Sequence, residues 1–558
     1  MQQACKHCQA SFQVTDDDLQ FLKDISPVIQ GKAQLIPAPT LCPSCRLQRR
    51  LALINQTFVC TRPSSISNKR IFSMFPEEVP FPVYENDYWW SDAWNALDYG
   101  KEPDPSRSFF DQYRDLERAV PHFALMTLQN EDCEYCNNVS QNKHCYLCFN
   151  TRRSEDCVGC ERTVACVNCL DCTGMGECER CFNCAACIRC YGLQESQACT
   201  DCTDSFFLLN CRSCTSCFGC TNLRHAEFCV FNRQYTRENY QKFMRDINLA
   251  SHKAREEWRA KTLAFWHTQP RPHAVMTMTE DVSGNELVQC KNVHESYFVR
   301  DGENLRYCAM AFDGVKNCGD FTTYGDQVEH VYESARCGNR FSRSAFCHYC
   351  YDGCSDLFYC SYCVGCQDCF GCVGLRKKRF CMLNKQYSQE EYHARVAGII
   401  ALMREQKQWG EFFPITQSSY PYNITLAQRY FPITRAQSRE RGLAWHEQEM
   451  ASAEGAVAAD SLPDIASSSD EPLVVKSAAS GKPFRVTTQE RKHYAAMKAP
   501  LPRTTYAERM EERAQSLGGV TLYDRMCAKT GKPIRTVIPP GAPWTVWDKD
   551  EYEREFSA

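Results

Sequence analysis

Twenty-one cysteines between Cys133 and Cys229 fall on one phase of a three-residue count, so every gap between neighbours is 3, 6 or 9 residues. Chance would place about a third of them there, so the spacing is a structural register. Within it, CxxC pairs return every 12 residues: Cys133/Cys136, Cys145/Cys148, Cys157/Cys160, Cys169/Cys172 and Cys181/Cys184. Where a cysteine is missing, a small or apolar residue stands in, as at Leu193, Ser196, Ser205 and Leu208. That substitution pattern describes an inward-facing small side chain better than an obligatory metal ligand. Cysteine is among the most buried residue types and packs as a small hydrophobe. The expectation is a narrow β-solenoid of 12 residues per coil, lined by thiols. Two alternatives stay open: a string of zinc knuckles or iron–sulfur sites, and a disulfide ladder. Metal would sit best on the tandem run Cys178, Cys181, Cys184, Cys187 and Cys190.

The chain holds 40 cysteines in 558 residues, a density that means disulfides in exported proteins and metal or packing roles in reducing compartments. The start, MQQACKHC, has neither a basic nor an apolar leader region, and the longest apolar run, 396–403, is too short to span a bilayer. The expectation from these features is a cytoplasmic chain with reduced thiols. Hydrophobic content of 43% and aromatic content of 12% suit packed cores. Net charge is −4, which disfavours a nucleic-acid partner despite local basic patches at Arg46, Arg49 and Arg50 and at Arg376, Lys377, Lys378 and Arg379.

A larger repeat overlies the first. CRSCTSCFGCTNLRHAEFCVFNRQYTRENY (211–240) matches CVGCQDCFGCVGLRKKRFCMLNKQYSQEEY at an offset of 152, giving two homologous lobes over 121–265 and 273–410. The second has traded cysteines for other residues, among them Tyr297, Phe312 and Tyr324. Each lobe closes with a helix. In the second, Ser388 to Glu391 forms a capping box, and Tyr392, Val396, Ile399, Ile400 and Met403 follow at helical spacing. FFPIT (412–416) and YFPIT (430–434) predict an extended aromatic wrap over 411–450, and the small polar stretch 451–471 a flexible linker.

The two ends echo each other. FQVT (12–15) resembles FRVT (484–487), PAPTLCPSCR (37–46) aligns with PLPRTTYAER (500–509), and PFPVYENDYW (80–89) aligns with PWTVWDKDEY (543–552). In the second copy Ser477, Ser480, Thr505 and Glu508 replace Cys5, Cys8, Cys42 and Cys45.

Those four cysteines form two CxxC knuckles 33 residues apart, a donor set suited to tetrahedral Zn²⁺. The second knuckle runs into a helix-like RLQRRLAL, whose N-terminal amides favour a negatively charged tetrathiolate. Over residues 3–50 the initial CxxC, the following Phe12, the acidic stretch and CPSCR resemble the probable zinc-ribbon, treble-clef-like family. That resemblance implies a structural zinc and a treble-clef fold, and no activity. Elsewhere, His144 and His348 neighbour cysteines but read as packing or surface residues, Asp16 to Asp18 read as a helix N-terminus, and the aromatic run 84–100 reads as core.

The expected architecture is a zinc treble clef (1–60), an aromatic-rich connector (61–120), two cysteine-rich repeat lobes, the wrap, the linker and a metal-free copy of the first module (472–558). The function this suggests is a zinc-dependent, non-enzymatic binding or scaffold protein with a protein partner and no membrane association. A metal-thiolate storage or redox protein and a nucleic-acid- or ribosome-associated factor are the alternatives.

Overall fold

The structure is a computed structural model that describes residues 1–170, 174, 194–312, 314–325, 328–329, 331–447 and 452–556. It is a multidomain, mixed α/β protein whose sheets are small, of two to five strands. Two compact units divide the chain: Met1–Leu125 with Ala274–His446, and Met126–His273 with Glu447–Ala558. The N-terminal module thus belongs with the second cysteine block, and the C-terminal module with the first.

The first block is built from three-residue units. The first residue of each unit makes a parallel bridge to the residue twelve further on, as Lys143 does to Glu155 and Glu155 to Val167. The second residue is left-handed, with φ of 48° at His144, 52° at Asp156 and 56° at Asn168. The third is buried, as are Cys145, Cys157 and Cys169. A left-handed residue with a side chain costs about 1–2 kcal/mol, least for Asn and Asp, and glycine escapes the cost. Asn138, Asn150, Gly159, Asn168, Asn210 and Gly219 accordingly occupy this place.

Hydrogen bonds explain the third position. The first residue's N–H reaches the carbonyl eleven residues on (Lys143 to Ser154, 2.9 Å), and the second's reaches thirteen back (His144 to Glu131, 3.0 Å). The third residue's N–H instead donates to a side chain twelve residues back. Asn142 donates to Asn130 Oδ1 at 3.0 Å, Ser154 to Asn142 Oδ1 at 2.9 Å, and Cys166 to Ser154 Oγ at 3.3 Å. Cysteine takes the same role, with Cys148 N–H on Cys136 Sγ at 3.3 Å. Its own S–H turns back to the carbonyl two residues before it, as Cys145 does to Lys143 at 3.2 Å. The inward side chain must therefore be small and both donate and accept, a description that fits Cys, Ser and Asn. Ser196 and Ser205, expected to replace cysteine, are fully buried in that role, as is the apolar Leu208. Leu193 lies outside the described residues.

The second block changes step. Gly302 pairs with Val315, Ala309 with Thr322, Glu329 with Ser342 and His348 with Ser361, all thirteen apart, before Ser361 returns to twelve with Val373. The extra residue breaks the cysteine phase: Cys308 S–H reaches the carbonyl ten residues on, where Cys136 reaches nine. It also corrects the expected substitutions. Tyr297 and Phe312 are half-buried strand residues paired with Ala309 and Gly325, not inward residues. The inward places fall to Val293, Val299, Leu305, Ala311 and Phe321.

The helix Gln389–Glu405 closes this block with the expected Ser388–Glu391 capping box, and buries Tyr392, Val396, Ile399, Ile400 and Met403. Arg237–Asp246 closes the other, capped by Thr236. The 411–450 stretch is not simply extended. Pro414 and Pro421 stand at the starts of short 3₁₀ turns, where a missing N–H costs nothing, and a Thr434–Gln437 capping box starts the helix Arg435–Glu440. In the expected linker, Val457–Ala458 pairs in parallel with Val475 and Lys476, and Ala459 and Leu462 are buried beside Val475.

The end modules share one order of elements. In the first, the hairpin Gln2–Ala4/Ser11–Gln13 leads to the helices Asp16–Asp24 and Pro43–Leu51. The hairpin Cys60–Pro63/Arg70–Ser73, the strand Val83–Tyr84 and the helix Asn86–Trp90 follow. The second repeats this with Leu473–Lys476/Pro483–Val486, Thr488–Ala496, Tyr506–Ser516, Tyr523–Met526/Pro533–Thr536, Thr545–Trp547 and Lys549–Phe556. Only the small hairpin at Val28–Ile29 and Lys32–Ala33 has no counterpart. No helix among the described residues is long and apolar enough to cross a membrane.

Candidate metal centre

Cys5 and Cys8 sit on the turn of the first hairpin, and Cys42 and Cys45 on the first turn of Pro43–Leu51, with Cys42 as its N-cap and Pro43 fixing the entry. The hairpin turn closes through Gln9 N–H on the Cys5 carbonyl at 3.0 Å, with Gln9 left-handed. All four sulfurs lie within 4.8 Å of one another. A tetrahedral ion with metal–sulfur bonds of about 2.3 Å would hold its sulfurs about 3.8 Å apart. Cys8 and Cys42 Sγ are 3.7 Å apart. The cluster could therefore hold a metal ion.

Its surroundings stabilise negative charge. Cys42 N–H donates to Cys5 Sγ at 3.3 Å, and His7 Nδ1 lies 3.4 Å from Cys45 Sγ. Burial pushes the Cys5 thiol up, but backbone bonds from Cys8, Cys42 and His7 outweigh it and leave it lowered. The side-chain hydrogen bond with Cys45 draws Cys42 down to about 5, and the same bond, with burial, pushes Cys45 up. Burial raises Cys8. An ion bound by these four residues would displace the remaining protons.

The helix that presents Cys42 and Cys45 also carries the expected basic patch, and that patch is not free. Arg46, Arg49 and Arg50 are 2%, 9% and 0% exposed. Arg46 and Arg50 each donate to Asp320 at 2.8 Å, Arg50 also to Thr322, and Arg49 pairs with Glu333 through two bonds. Of the other patch, Arg376 donates to the Trp90 and Ser91 carbonyls and Arg379 to Asp368, while Lys377 is exposed.

In the C-terminal copy the four positions also come together, without sulfur. Ser477 Oγ donates to Glu508 Oε2 at 2.6 Å, Thr505 N–H donates to the same oxygen at 2.7 Å, and Glu508 N–H donates to Thr505 Oγ1 at 3.2 Å. Burial raises the Glu508 carboxyl, but bonds from Ser477, Ser480 and Thr505 outweigh it and hold it below the usual carboxylate range. A carboxylate at a helix start thus ties together the positions that are thiols in the first module. The arginines persist: Arg509 and Arg513 are 8% and 4% exposed, and Arg509 bonds the Thr504 carbonyl as Arg46 bonds that of Leu41.

Two related turns escaped the sequence reading. Asn68 N–H closes on the Ser64 carbonyl at 3.0 Å and Gly531 N–H on that of Cys527 at 2.8 Å, both with left-handed φ, matching Gln9 on Cys5 and Gly481 on Ser477. Asp548 N–H, at a helix start, donates to Cys527 Sγ at 3.1 Å as Cys42 does to Cys5. The signal was available as S-x-x-S-N-K and C-x-x-T-G-K beside S-x-x-S-G-K. Of these four turns, only the first carries two thiols, which meet Cys42 and Cys45 from the helix start.

Among the described residues, no group of three ladder cysteines brings its sulfurs within 4.8 Å of one another. Cys178, Cys181, Cys184, Cys187 and Cys190 lie outside the described residues. Of the two histidines beside cysteines, His348 is buried and His144 lies at the surface between Asp132 and Asp156. No protein-family model, curated protein or solved structure matches the chain.

Proposed function

We propose that this is a zinc-stapled, non-enzymatic binding or scaffold protein of the cytoplasm. Its N-terminal module is a treble clef of the probable zinc-ribbon kind, and its cysteine blocks are thiol-lined β-solenoids that present an extended surface to a protein partner. The observation that carries this reading is the linkage of the four-thiol cluster to the ladder. The ion organises the start of Pro43–Leu51, and that helix buries three arginines against Asp320 and Glu333. Zinc is the ion that best suits four thiolates in a tetrahedral structural site. Two features support surface over storage: the ladder thiols are engaged with the backbone, and the outward residues form regular columns such as Asn292, Asn304 and Asn317. Engagement of Arg46, Arg49 and Arg50 inside the protein counts against a nucleic-acid reading based on that helix.

The test is cross-linking in cells of the protein's source, followed by mass spectrometry. Cross-links to a recurrent protein partner through exposed ladder lysines such as Lys291, Lys316 and Lys377 are expected. Cross-links dominated by RNA or DNA, with salt-sensitive binding in vitro, would overturn the reading.

A further inference from the structure

The repeat that buries thiols also stacks outward side chains one above another. Asp132, His144 and Asp156 occupy the same left-handed place on three successive rungs, with φ of 47°, 48° and 52°. The imidazole of His144 is consequently faced on both sides. Its Nδ1 lies 3.5 Å from Asp156 Oδ1 and its Nε2 lies 3.7 Å from Asp132 Oδ2. Donor atoms of His144, Glu155 and Asp156 all fall within 4.8 Å of one another, as do those of Glu131, Asp132 and His144, but in the second group Glu131 is already paired with Lys143. Gln489 Nε2 donates to the His144 carbonyl at 2.7 Å and fixes the rung from the other side. Lys143 pairs with Glu131 at 3.2 Å, and the charge of Asp156 also acts on the half-buried His493.

We propose that His144 Nδ1, Glu155 and Asp156 bind a divalent transition-metal ion on the outer face of the first ladder. A mixed imidazole and carboxylate set suits zinc, cobalt or nickel better than calcium, which takes oxygen ligands. The far side of the ring supplies what such a ligand needs. Metal-binding histidines donate their other N–H to a carboxylate, which fixes the tautomer, and Asp132 stands in that place. Asp132 is thus a positioning residue, and the three ligands come from adjacent rungs of a rigid repeat. Water completes the coordination, so binding is weaker here than at the four-thiol cluster.

The experiment uses the full chain, with the four-thiol site loaded with zinc and free metal removed. Ni²⁺ is titrated by calorimetry, and Co²⁺ is followed through the imidazole NMR signals of protein carrying labelled histidine. One further ion per chain is expected, with the His144 signal shifted or broadened most. His144→Gln and Asp156→Asn should each weaken binding at least about tenfold, and Asp132→Asn by about tenfold or somewhat less. His294→Gln serves as the control. That imidazole faces Asp281 at 3.6 Å but belongs to no group of three donors, so its loss should change nothing. Unchanged hydrogen-exchange protection over 131–170 in every variant shows that the unit carrying His144 is intact, since the four-thiol cluster belongs to the other unit. The absence of a further ion, an unperturbed His144 signal, or equal loss in His294→Gln would overturn the proposal.

Discussion

Arg50 donates to Asp320 at 2.8 Å across 270 residues of chain, from a side chain with no solvent exposure. The same carboxylate takes a second bond from Arg46, also at 2.8 Å. Four residues separate the two arginines, so they rise from one helix face, and that helix begins at Cys42. Thiol cluster, helix and ladder are therefore one mechanical chain within this unit. The C-terminal helix Tyr506–Ser516 keeps the pattern with buried Arg509 and Arg513.

Removing Asp320 should cost more than the bonds it makes, because two buried guanidiniums lose their counter-charge. Asp320→Ala is expected to destabilise its unit by about 3–5 kcal/mol, the usual cost of breaking a buried pair from one side. Urea unfolding followed by hydrogen exchange over 300–340 measures it. A loss below about 1 kcal/mol, typical of a surface pair, would mean that the cluster is not buried in solution.

The ladder predicts an unusual order of substitutions at Cys360. Its sulfur accepts from Cys372 N–H at 3.4 Å, and its S–H faces the Phe358 carbonyl at 3.5 Å. Serine can make both bonds and alanine neither. Cys360→Ser should cost about 1 kcal/mol or less, whereas Cys360→Ala leaves a small cavity and an unsatisfied N–H, for about 2–3 kcal/mol. Denaturant midpoints of the two variants decide it. A serine variant less stable than the alanine one would contradict the hydrogen-bonded role.

Much of this was legible in the chain. The phase of three marked the inward residues, Ser388–Glu391 marked the closing helix, and the shared PxP and FxVT segments marked the second module. The left-handed middle residue was harder to see, because Tyr135, Leu147 and Phe207 adopt it as well as Asn and Gly. Tertiary packing of the repeat overrides their preference. The thirteen-residue step was also hidden. One inserted residue per rung moves Cys318 and Cys337 in turn off the phase shared by Cys290 and Cys308, without any local signal. Burial of Arg46, Arg49 and Arg50 could not be read either, since their carboxylates arrive from more than 250 residues away.

Stability should depend on pH through three buried groups of the same unit. Burial lowers His122 to about 4, while burial and the neighbouring His122 lower His348 to about 3. Burial raises Glu117 to about 7. The unfolded chain binds protons to both histidines first, so their contribution is present above the ordinary histidine value near 6.5 and is lost as pH falls toward 4 and 3. Glu117 works the other way: its contribution is present below the ordinary carboxylate range and is lost as pH rises through 7. The urea midpoint should therefore peak near pH 6 to 7. Glu117→Gln should remove the fall above the peak and steepen the rise below it, and a profile unchanged by it would refute the assignment.

The erased site should be recoverable. Because Ser477, Ser480, Thr505 and Glu508 hold the places of the four cysteines, Ser477→Cys, Ser480→Cys, Thr505→Cys and Glu508→Cys together should create a second tetrathiolate site. Elemental analysis of the quadruple variant should find one more tightly bound zinc per chain than the parent. An unchanged metal content in a folded variant would show that the two modules differ in backbone geometry.

The central claim is that the ladder thiols serve the backbone while four N-terminal thiols serve a metal. Native mass spectrometry of the full chain tests it most directly, on protein purified without oxygen and passed through a weak chelator. One zinc per chain is predicted, lost in Cys42→Ser. Several retained zinc or iron ions, surviving that substitution, would contradict the account and make the ladders metal-thiolate stores.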